Sequence, residues 1–211
     1  MDRTSHWNTV YTTKDSKTVS WYQPHLERSL DLIRMTSPHK EAAIIDIGGG
    51  ASTLVDDLVA DGYHNVTVLD VSSAALACTK HRLGDMANTV HWIEGDVTQV
   101  QLAPYQYEVW HDRAVFHFLT AAEDRHAYLE RLLGSVKPGA HIIMATFGPE
   151  GPLKCSGLDT MRYSPDALCS ELGPAFQLLH ALDEHHATPT GKVQHFIYCC
   201  FQRRGSNESG I

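Results

Sequence analysis

Short apolar runs and longer amphipathic stretches alternate along most of this chain. Strand-length apolar runs occur at 43–47, 66–71, 90–97, 107–111 and 141–147. Helical patterns separate them, the clearest at about 52–61 and 73–83, and two late strands are predicted near Phe176–Leu182 and Val193–Phe201. Strands that alternate with helices predict a mostly parallel sheet with helices on both faces.

The borders of the pattern predict further elements. Residues 1–20 form a polar lead, and Trp21 to Met35 is predicted as a helix that turns its apolar side inward. Thr120 and Glu123 have the spacing of a capping box, so Thr120 is expected to be the N-cap of a helix. We expect one domain over residues 1–204 and a disordered tail over 205–211.

Composition excludes several functional classes. The 211 residues carry 17 basic and 25 acidic side chains, a formal net charge of −8, which argues against a nucleic-acid binder. No apolar run approaches the 18 residues of a membrane span, and the polar first residues lack the core of a signal peptide. Five scattered cysteines without a C-x-x-C pair suit a reducing cytoplasm, and no histidine cluster has metal-ligand spacing, so no metal is predicted.

A glycine turn follows the first apolar run. Its spacing is Asp46-x-Gly48-x-Gly50-x-Ser52, with Gly49 between the two glycines. Glycines let the backbone approach a ligand, and the helix that follows offers free N–H groups at its start. The stretch lacks the last glycine of the nicotinamide fingerprint G-x-G-x-x-G.

Two further acids end the next two strands. Asp70 follows Asp46 by 24 residues, the place of a carboxylate that accepts the hydroxyl groups of a ribose. Asp96 ends the third strand. Because parallel strands present their carboxyl ends at one edge of the sheet, these acids and the glycine turn are expected to form one ligand site.

With this spacing, residues 19–204 resemble a class I S-adenosylmethionine (SAM) methyltransferase. The resemblance implies a Rossmann-like, doubly wound, mostly parallel sheet of seven strands whose last strand is antiparallel. It implies SAM as cofactor, S-adenosylhomocysteine (SAH) as product, and contact between the adenine amino group and Asp96. The cofactor-binding residues expected on this basis are Trp21, Asp46, Gly48, Gly49, Gly50, Ser52, Asp70, Val71, Asp96, Val97 and His111.

The fourth strand carries the candidate chemistry. The stretch His111–Leu119 resembles the D-K-G-T-x-D segment of eukaryotic lysine methyltransferases that modify elongation factor and citrate synthase, but His117 stands where that group has its second acid. We therefore expect His117 to act as a general base, with Asp112 orienting the acceptor. Lys154–Leu158 resembles a segment of small bacterial methyltransferases of undefined substrate, and Tyr22, Arg113 and Cys155 are the expected substrate contacts.

These observations favour methyl transfer to a small-molecule acceptor whose reacting atom the sequence does not identify. A protein lysine methyltransferase and a non-catalytic SAM-binding module are the alternatives, and a nicotinamide-dependent oxidoreductase is disfavoured by the missing glycine and by Asp96. Neither a membrane nor a nucleic acid is expected as a partner, and the oligomeric state is left open.

Overall fold

A computed structural model describes residues 2–205 of the protein. The strands are β1 (Ile44–Ile47), β2 (Val66–Asp70), β3 (Val90–Glu94), β4 (Tyr107–Arg113), β5 (Val136–Phe147), β6 (Lys154–Cys155), β7 (Leu158–Asp159), β8 (Phe176–Ala187) and β9 (Val193–Arg203). The α-helices are α1 (Arg3–Thr13), α2 (Glu27–Thr36), α3 (Leu54–Ala60), α4 (Ser73–Leu83), α5 (Ala122–Ser135) and α6 (Pro165–Leu172).

Seven strands form one sheet in the order β3-β2-β1-β4-β5-β9-β8. The neighbours from β3 to β5 pair in parallel, whereas β9 runs antiparallel to both β5 and β8. The predicted Rossmann-like sheet with an antiparallel last strand is therefore confirmed. β6 and β7 form a separate short hairpin.

Apolar side chains cover both faces of the sheet. Successive residues of a strand point to opposite faces, so Ile44 and Ile45 enter two different hydrophobic clusters, as do Val109 and Trp110 in β4. All four residues of β1 are buried. A strand buried on both sides reads as a continuous apolar run, which is why the central strands could be recognised from the sequence.

The structure differs from the sequence prediction in two places at the N-terminal side. Within the segment described as a polar lead, Arg3–Thr13 form helix α1, which was not predicted. The predicted helix at 21–35 begins only at Glu27, because Pro24 disfavours helical backbone at the residue before it, and Trp21 lies in the preceding loop.

The predicted capping box is also wrong. The N-cap of α5 is Ala121, which makes no side-chain capping bond. The carbonyl groups of Leu119 and Thr120 instead accept hydrogen bonds from Arg125 at 3.1 and 3.0 Å. The helix thus starts one residue later than expected.

Two further expectations concern the C-terminal tail and a membrane span. β9 extends to Arg203, and the expected disordered tail at 205–211 lies, except for Gly205, outside the described residues. Within residues 2–205, no helix is both long and apolar enough to cross a membrane.

Candidate active site

A deep cavity lies at the carboxyl ends of β1 to β4, roofed by α1. The empty space of this main cavity, about 860 Å³, includes the part that opens to solvent. It is lined by Arg3, Trp7, Tyr11, Trp21, Ile47, Gly48, Leu69, Asp70, Val71, Gly95, Asp96, Val97, Arg113, Ala114, Val115, His117, Phe118, Leu119, Phe147, Cys155 and Phe196.

A smaller side cavity lies against the glycine turn. Its lining shares five residues with the main cavity, so the two spaces adjoin. It is lined by Tyr11, Ser16, Val19, Trp21, Tyr22, Gln23, Leu26, Asp46, Ile47, Gly48, Gly49, Ala51, Ser52, Thr53, His111 and Arg113.

The glycine turn leaves no room for side chains. Gly48 has a φ of +68°, and a Cβ there would lie 2.1 Å from a methyl group of Val115. A Cβ on Gly49 would lie 2.2 Å from the carboxylate of Asp46, and one on Gly50 would lie 2.5 Å from that of Asp70. Each glycine therefore lets the turn pack against a residue of the site.

Asp70 is buried at the floor of the main cavity. Its Oδ2 accepts from the Gly50 N–H at 2.9 Å and its Oδ1 from the Ser72 N–H at 2.8 Å. Burial raises the pKa of this carboxyl to about 6, although the two backbone donors oppose the shift. Each oxygen retains a free lone pair for a hydroxyl donor.

Asp46 heads a buried chain of three polar residues. Its Oδ1 accepts from Nδ1 of His111 at 2.7 Å, and Nε2 of that ring is 2.8 Å from the Ser29 hydroxyl. The other carboxylate oxygen, Oδ2, is buried without a hydrogen-bond partner among residues 2–205. A buried acceptor beside the side cavity fits a ligand that brings its own donor, such as an ammonium group.

Asp96 is held in place by its neighbours. Its Oδ1 accepts from the hydroxyl of Thr98 at 2.7 Å, and its Oδ2 lies 3.1 Å from the guanidinium of Arg3. Burial acts to raise the pKa of Asp96, but the hydrogen bonds from Thr98 and Arg3 outweigh it and keep the pKa below its usual value. Arg3 also pairs with Asp124 and so ties α1 to the sheet and to α5.

Aromatic rings from α1 and the loop after it cover both cavities. Trp7 packs edge-on against Trp21 and Phe118, with ring centroids 5.7 and 5.2 Å apart. Tyr11 lies 6.4 Å from Trp21 in the same manner. Because burial raises the pKa of Tyr11 well above its usual value, this ring stays neutral.

His117 reaches the main cavity but lacks the properties of the expected base. The ring is fully buried and stacks on Phe147 at 4.3 Å, and its Nδ1 accepts from the Phe147 N–H at 3.1 Å. Burial, helped by the nearby charge of Arg113, lowers the pKa of His117 to about 3. With Nδ1 already accepting, the neutral ring carries its proton on Nε2, which is therefore a donor.

Asp112 lies outside both cavities. Its buried carboxylate accepts from the Tyr128 hydroxyl at 2.6 Å and from the backbone N–H groups of Val115 and Phe116 at 2.9 and 3.1 Å. Burial raises its pKa to about 6. These contacts fix the turn after β4, so the expected role in orienting an acceptor is replaced by a structural one.

The three expected substrate contacts all line a cavity. Arg113 and Cys155 face the main cavity, and Tyr22 faces the side cavity. The Cys155 thiol is 3.9 Å from the hydroxyl of Ser20, and burial raises its pKa, which argues against a reactive thiolate. Of the expected cofactor residues, only Gly50 lines neither cavity, because it packs behind Asp70.

Sequence reasoning missed the contribution of α1 and of the late strands. Arg3, Trp7 and Tyr11 lay in the segment interpreted as a polar lead, yet Trp7 and Tyr11 stand four residues apart, the spacing of one helix face. Phe147 and Phe196 pair across β5 and β9. Their juxtaposition depends on long-range strand pairing and leaves no local signal.

Comparison with known proteins agrees with this geometry. Residues 44–139 match a family model described as a methyltransferase domain. Over 133 residues the chain is 21% identical to the eEF1A lysine and N-terminal methyltransferase of Bos taurus and 22% identical to that of Mus musculus. Each alignment covers 62% of this chain and only 19% of the relative, so the chain spans about a fifth of those proteins.

Solved structures share the whole fold. A protein from a study of the conversion of a disulfide bond into a thioacetal group during echinomycin biosynthesis superimposes with a TM-score of 0.78 at 16% identity, covering 99% of this chain and 95% of the other. The 1,6-didemethyltoxoflavin-N1-methyltransferase of Burkholderia thailandensis, solved with SAH, gives 0.73 at 15% identity over 96% and 87%. The N-methyltransferase NodS of Bradyrhizobium japonicum, also with SAH, gives 0.70 at 14% identity over 97% and 100%.

The residues of the site fit the cofactor of that family. The unpartnered oxygen of Asp46 suits an ammonium group, Asp70 suits the hydroxyls of a ribose, and the crowded glycine turn leaves backbone rather than side chain toward the ligand. The matched domain, the sheet order and this donor and acceptor set agree. Together they support a class I SAM-dependent methyltransferase.

Proposed function

We propose that the protein transfers the methyl group of SAM to a small nucleophilic acceptor held in the main cavity. The supporting observation is that the side cavity at the glycine turn adjoins a main cavity with aromatic walls, which α1 partly covers. Concave, mostly apolar pockets of this kind are the usual binding sites of small molecules. The toxoflavin precursor methylated by the Burkholderia thailandensis neighbour is an acceptor of this kind.

In this proposal each of the three carboxylates binds a different part of the cofactor. Asp46 faces the side cavity and would hold the ammonium group, Asp70 the ribose hydroxyls, and Asp96 with the Val97 backbone the adenine. Trp21 lines both cavities and would cover the junction where methyl donor and acceptor meet.

When bound, SAM supplies a methyl group on a sulfonium centre, which is already a good leaving group. The protein therefore contributes position and exclusion of water more than acid–base chemistry. Trp7, Phe118 and Phe147 form apolar walls that hold an acceptor in one place. The loop at Trp21 is fixed by the hydrogen bond that its carbonyl accepts from Arg113 at 2.9 Å.

A protein acceptor is the second candidate, favoured by the distant similarity to the eEF1A lysine and N-terminal methyltransferases. A lysine ammonium entering the main cavity would meet the Arg113 guanidinium, whose side chain is 5% exposed. Glu184, whose carboxylate is 3.7 Å from this guanidinium, offsets part of its charge, but the remaining repulsion between two cations disfavours a protein lysine as the acceptor.

Calorimetry with SAM and SAH, followed by an acceptor screen with labelled SAM, tests the proposal. The screen covers thiols, phenols, amines, and cell extract divided into small-molecule and protein fractions. Label in small molecules supports the proposal, and label confined to a protein supports the second candidate. Tight SAM binding without transfer of label to any small molecule or protein would indicate a non-catalytic SAM-binding module.

A further inference from the structure

Two residues that line the main cavity each carry a buried donor atom without a hydrogen-bond partner. Nε2 of His117 and Nη2 of Arg113 have no hydrogen-bond partner among the described residues. The first side chain is fully buried, and the second is 5% exposed. Buried polar atoms of a native fold are nearly always satisfied, so a ligand in this cavity that accepts hydrogen bonds would satisfy both atoms.

Both atoms are donors. His117 Nδ1 accepts from the Phe147 backbone, which leaves the proton of the neutral ring on Nε2. Arg113 donates through Nε to Tyr198 at 2.8 Å and through Nη1 to the Trp21 carbonyl, which fixes the guanidinium and leaves Nη2 free. A guanidinium has no acceptor atom.

The two donors lie around the same ring. The Arg113 guanidinium stacks 4.7 Å from the centroid of Phe196, and the His117 ring lies 6.3 Å from it. The facing acid is Glu184, whose carboxylate is 3.7 Å from Arg113 Nη2, beyond hydrogen-bond distance. Glu184 instead accepts from the amide of Gln23 at 3.1 Å.

We infer that Arg113 and His117 bind the methyl acceptor as an oxygen or sulfur anion, that is, as a phenolate or a thiolate. The inference rests on the proposed function. An anion satisfies both unpartnered donors, whereas an amine offers mainly donors of its own and, once protonated, a like charge. The apolar surroundings strengthen both hydrogen bonds.

An anionic acceptor also needs no general base at the position of His117. The oxygen or sulfur lone pair forms the bond to the methyl carbon, and the methyl–sulfonium bond breaks with its electron pair passing to the leaving sulfur. The negative charge of the acceptor and the positive charge of the sulfonium cancel, so both products are neutral at these atoms. No proton needs to be removed within the site.

A matched probe series tests the inference on protein saturated with SAH. The probes 4-nitrothiophenol, 4-nitrophenol and 4-nitroaniline share one ring and differ in the candidate acceptor atom. We expect the sulfur or oxygen probe to bind as its anion, with a lowered apparent pKa seen in its absorbance, and about 10- to 150-fold more tightly than the aniline, the range of a charge-assisted hydrogen bond. Whichever of these two binds more tightly identifies the atom.

Variants assign that preference to the two residues. Arg113→Gln should remove most of the shift in the probe's pKa, Arg113→Lys should keep part of it, and His117→Gln should keep more than His117→Phe, because glutamine retains an N–H donor. Arg34→Gln, whose ion pair with Asp61 lies on the surface, is the control and should change nothing. Thermal melting identifies any variant that fails to fold, in which case the conservative partner decides.

The outcomes separate the two proposals. Equal or tighter binding of 4-nitroaniline by SAH-loaded wild-type protein overturns the anionic acceptor while leaving methyl transfer intact. A pKa shift that survives both Arg113→Gln and His117→Phe also overturns it. Failure of the wild type to bind SAH at all removes the proposed function, and the inference with it.

Discussion

The two halves of the site are built in opposite ways. The carboxylate half, formed by the glycine turn with Asp46, Asp70 and Asp96, presents acids at three consecutive strand ends. The donor half, around Arg113 and His117, presents N–H groups within aromatic walls. One half suits a ligand with hydroxyl, amino and ammonium donors, and the other suits a ligand that accepts.

The difference also concerns how each half is supported. Backbone N–H groups within a few residues of a strand end hold Asp70, whereas Arg113 is fixed by Tyr198 and by the loop at Trp21, far away in the chain. Changes in the carboxylate half should therefore affect cofactor binding first. Changes in the donor half should affect the acceptor.

The largest effect is expected for Gly48→Val. The positive φ is strained for a β-branched residue, and the new Cβ would collide with Val115, so SAM binding should fall below detection and the free energy of unfolding should drop by about 1–3 kcal/mol. Calorimetry and urea unfolding measure the two effects.

Gly84→Ala is the matched control. Gly84 also has a positive φ of +56°, but a Cβ there meets nothing within 4 Å. It should cost some stability and leave SAM affinity unchanged. Adding Val115→Ala to Gly48→Ala should restore part of the binding, and a Gly48→Val protein with normal affinity would remove the glycine turn from the site.

The next largest effect is expected for Asp70→Ala. Loss of a buried, charge-assisted acceptor should weaken SAM binding by about 10- to 150-fold. Since the pKa of Asp70 is raised to about 6, ionised carboxylate is lost as pH falls through 6, and wild-type affinity should fall with it. The variant should lack this dependence between pH 7 and pH 5, and a parallel decline in both proteins would place the titration elsewhere.

Most of the carboxylate half could be predicted from the sequence because its signals are local. The ends of three strands carry Gly48, Asp70 and Asp96, and each of these strands is recognisable in the sequence as an apolar run. Parallel topology then brings such ends together at one edge. Asp112 shows the limit of this reasoning, because its strand-end position is shared but its carboxylate turns into the fold to bind Tyr128.

The donor half could not be predicted because protonation depends on tertiary contacts. Nothing near His117 in sequence indicates that its Nδ1 accepts a hydrogen bond from the backbone N–H of Phe147, thirty residues further along the chain. Helix α1, which covers the main cavity, was not predicted for a related reason, since it has an aromatic pair but no continuous apolar face. Long-range packing, rather than local pattern, decides the chemistry of this half.

A smaller effect, on stability, is expected from His117→Gln. The folded state holds the histidine neutral with a pKa lowered to about 3, whereas the unfolded chain protonates near 6.5, so this group stabilises the fold above pH 6.5 and the stabilisation is lost as pH falls toward 3. Between pH 7 and pH 5 the wild type should lose about 2 kcal/mol that the variant does not lose.

Urea unfolding at several pH values measures this difference. The raised pKa values of Asp70 and Asp112 favour the fold at lower pH, but they are common to both proteins and cancel in the comparison. The methyl-transfer rate should show no ionisation of His117 between pH 5 and pH 8. A rate that rises through a pKa near 6.5 in the wild type and not in the variant would restore the general base.

The smallest effect is expected for Arg3→Gln, which tests how firmly α1 closes the carboxylate half. Arg3 bridges Asp96 and Asp124 with a side chain that is 33% exposed, and such pairs contribute about 0–1 kcal/mol. The helix is also held by the Asn8 side chain, which accepts from the Ser72 hydroxyl at 2.8 Å, and by the packing of Trp7. SAH should therefore dissociate only about twofold to fivefold faster, with the difference shrinking at high salt.

Lys40→Gln, which removes a comparable pair with Asp61 away from both cavities, serves as the control. Stopped-flow measurement of SAH release gives the dissociation rates. A dissociation rate that rises tenfold or more would mean that α1 is held over the site by this one ion pair rather than by its aromatic packing.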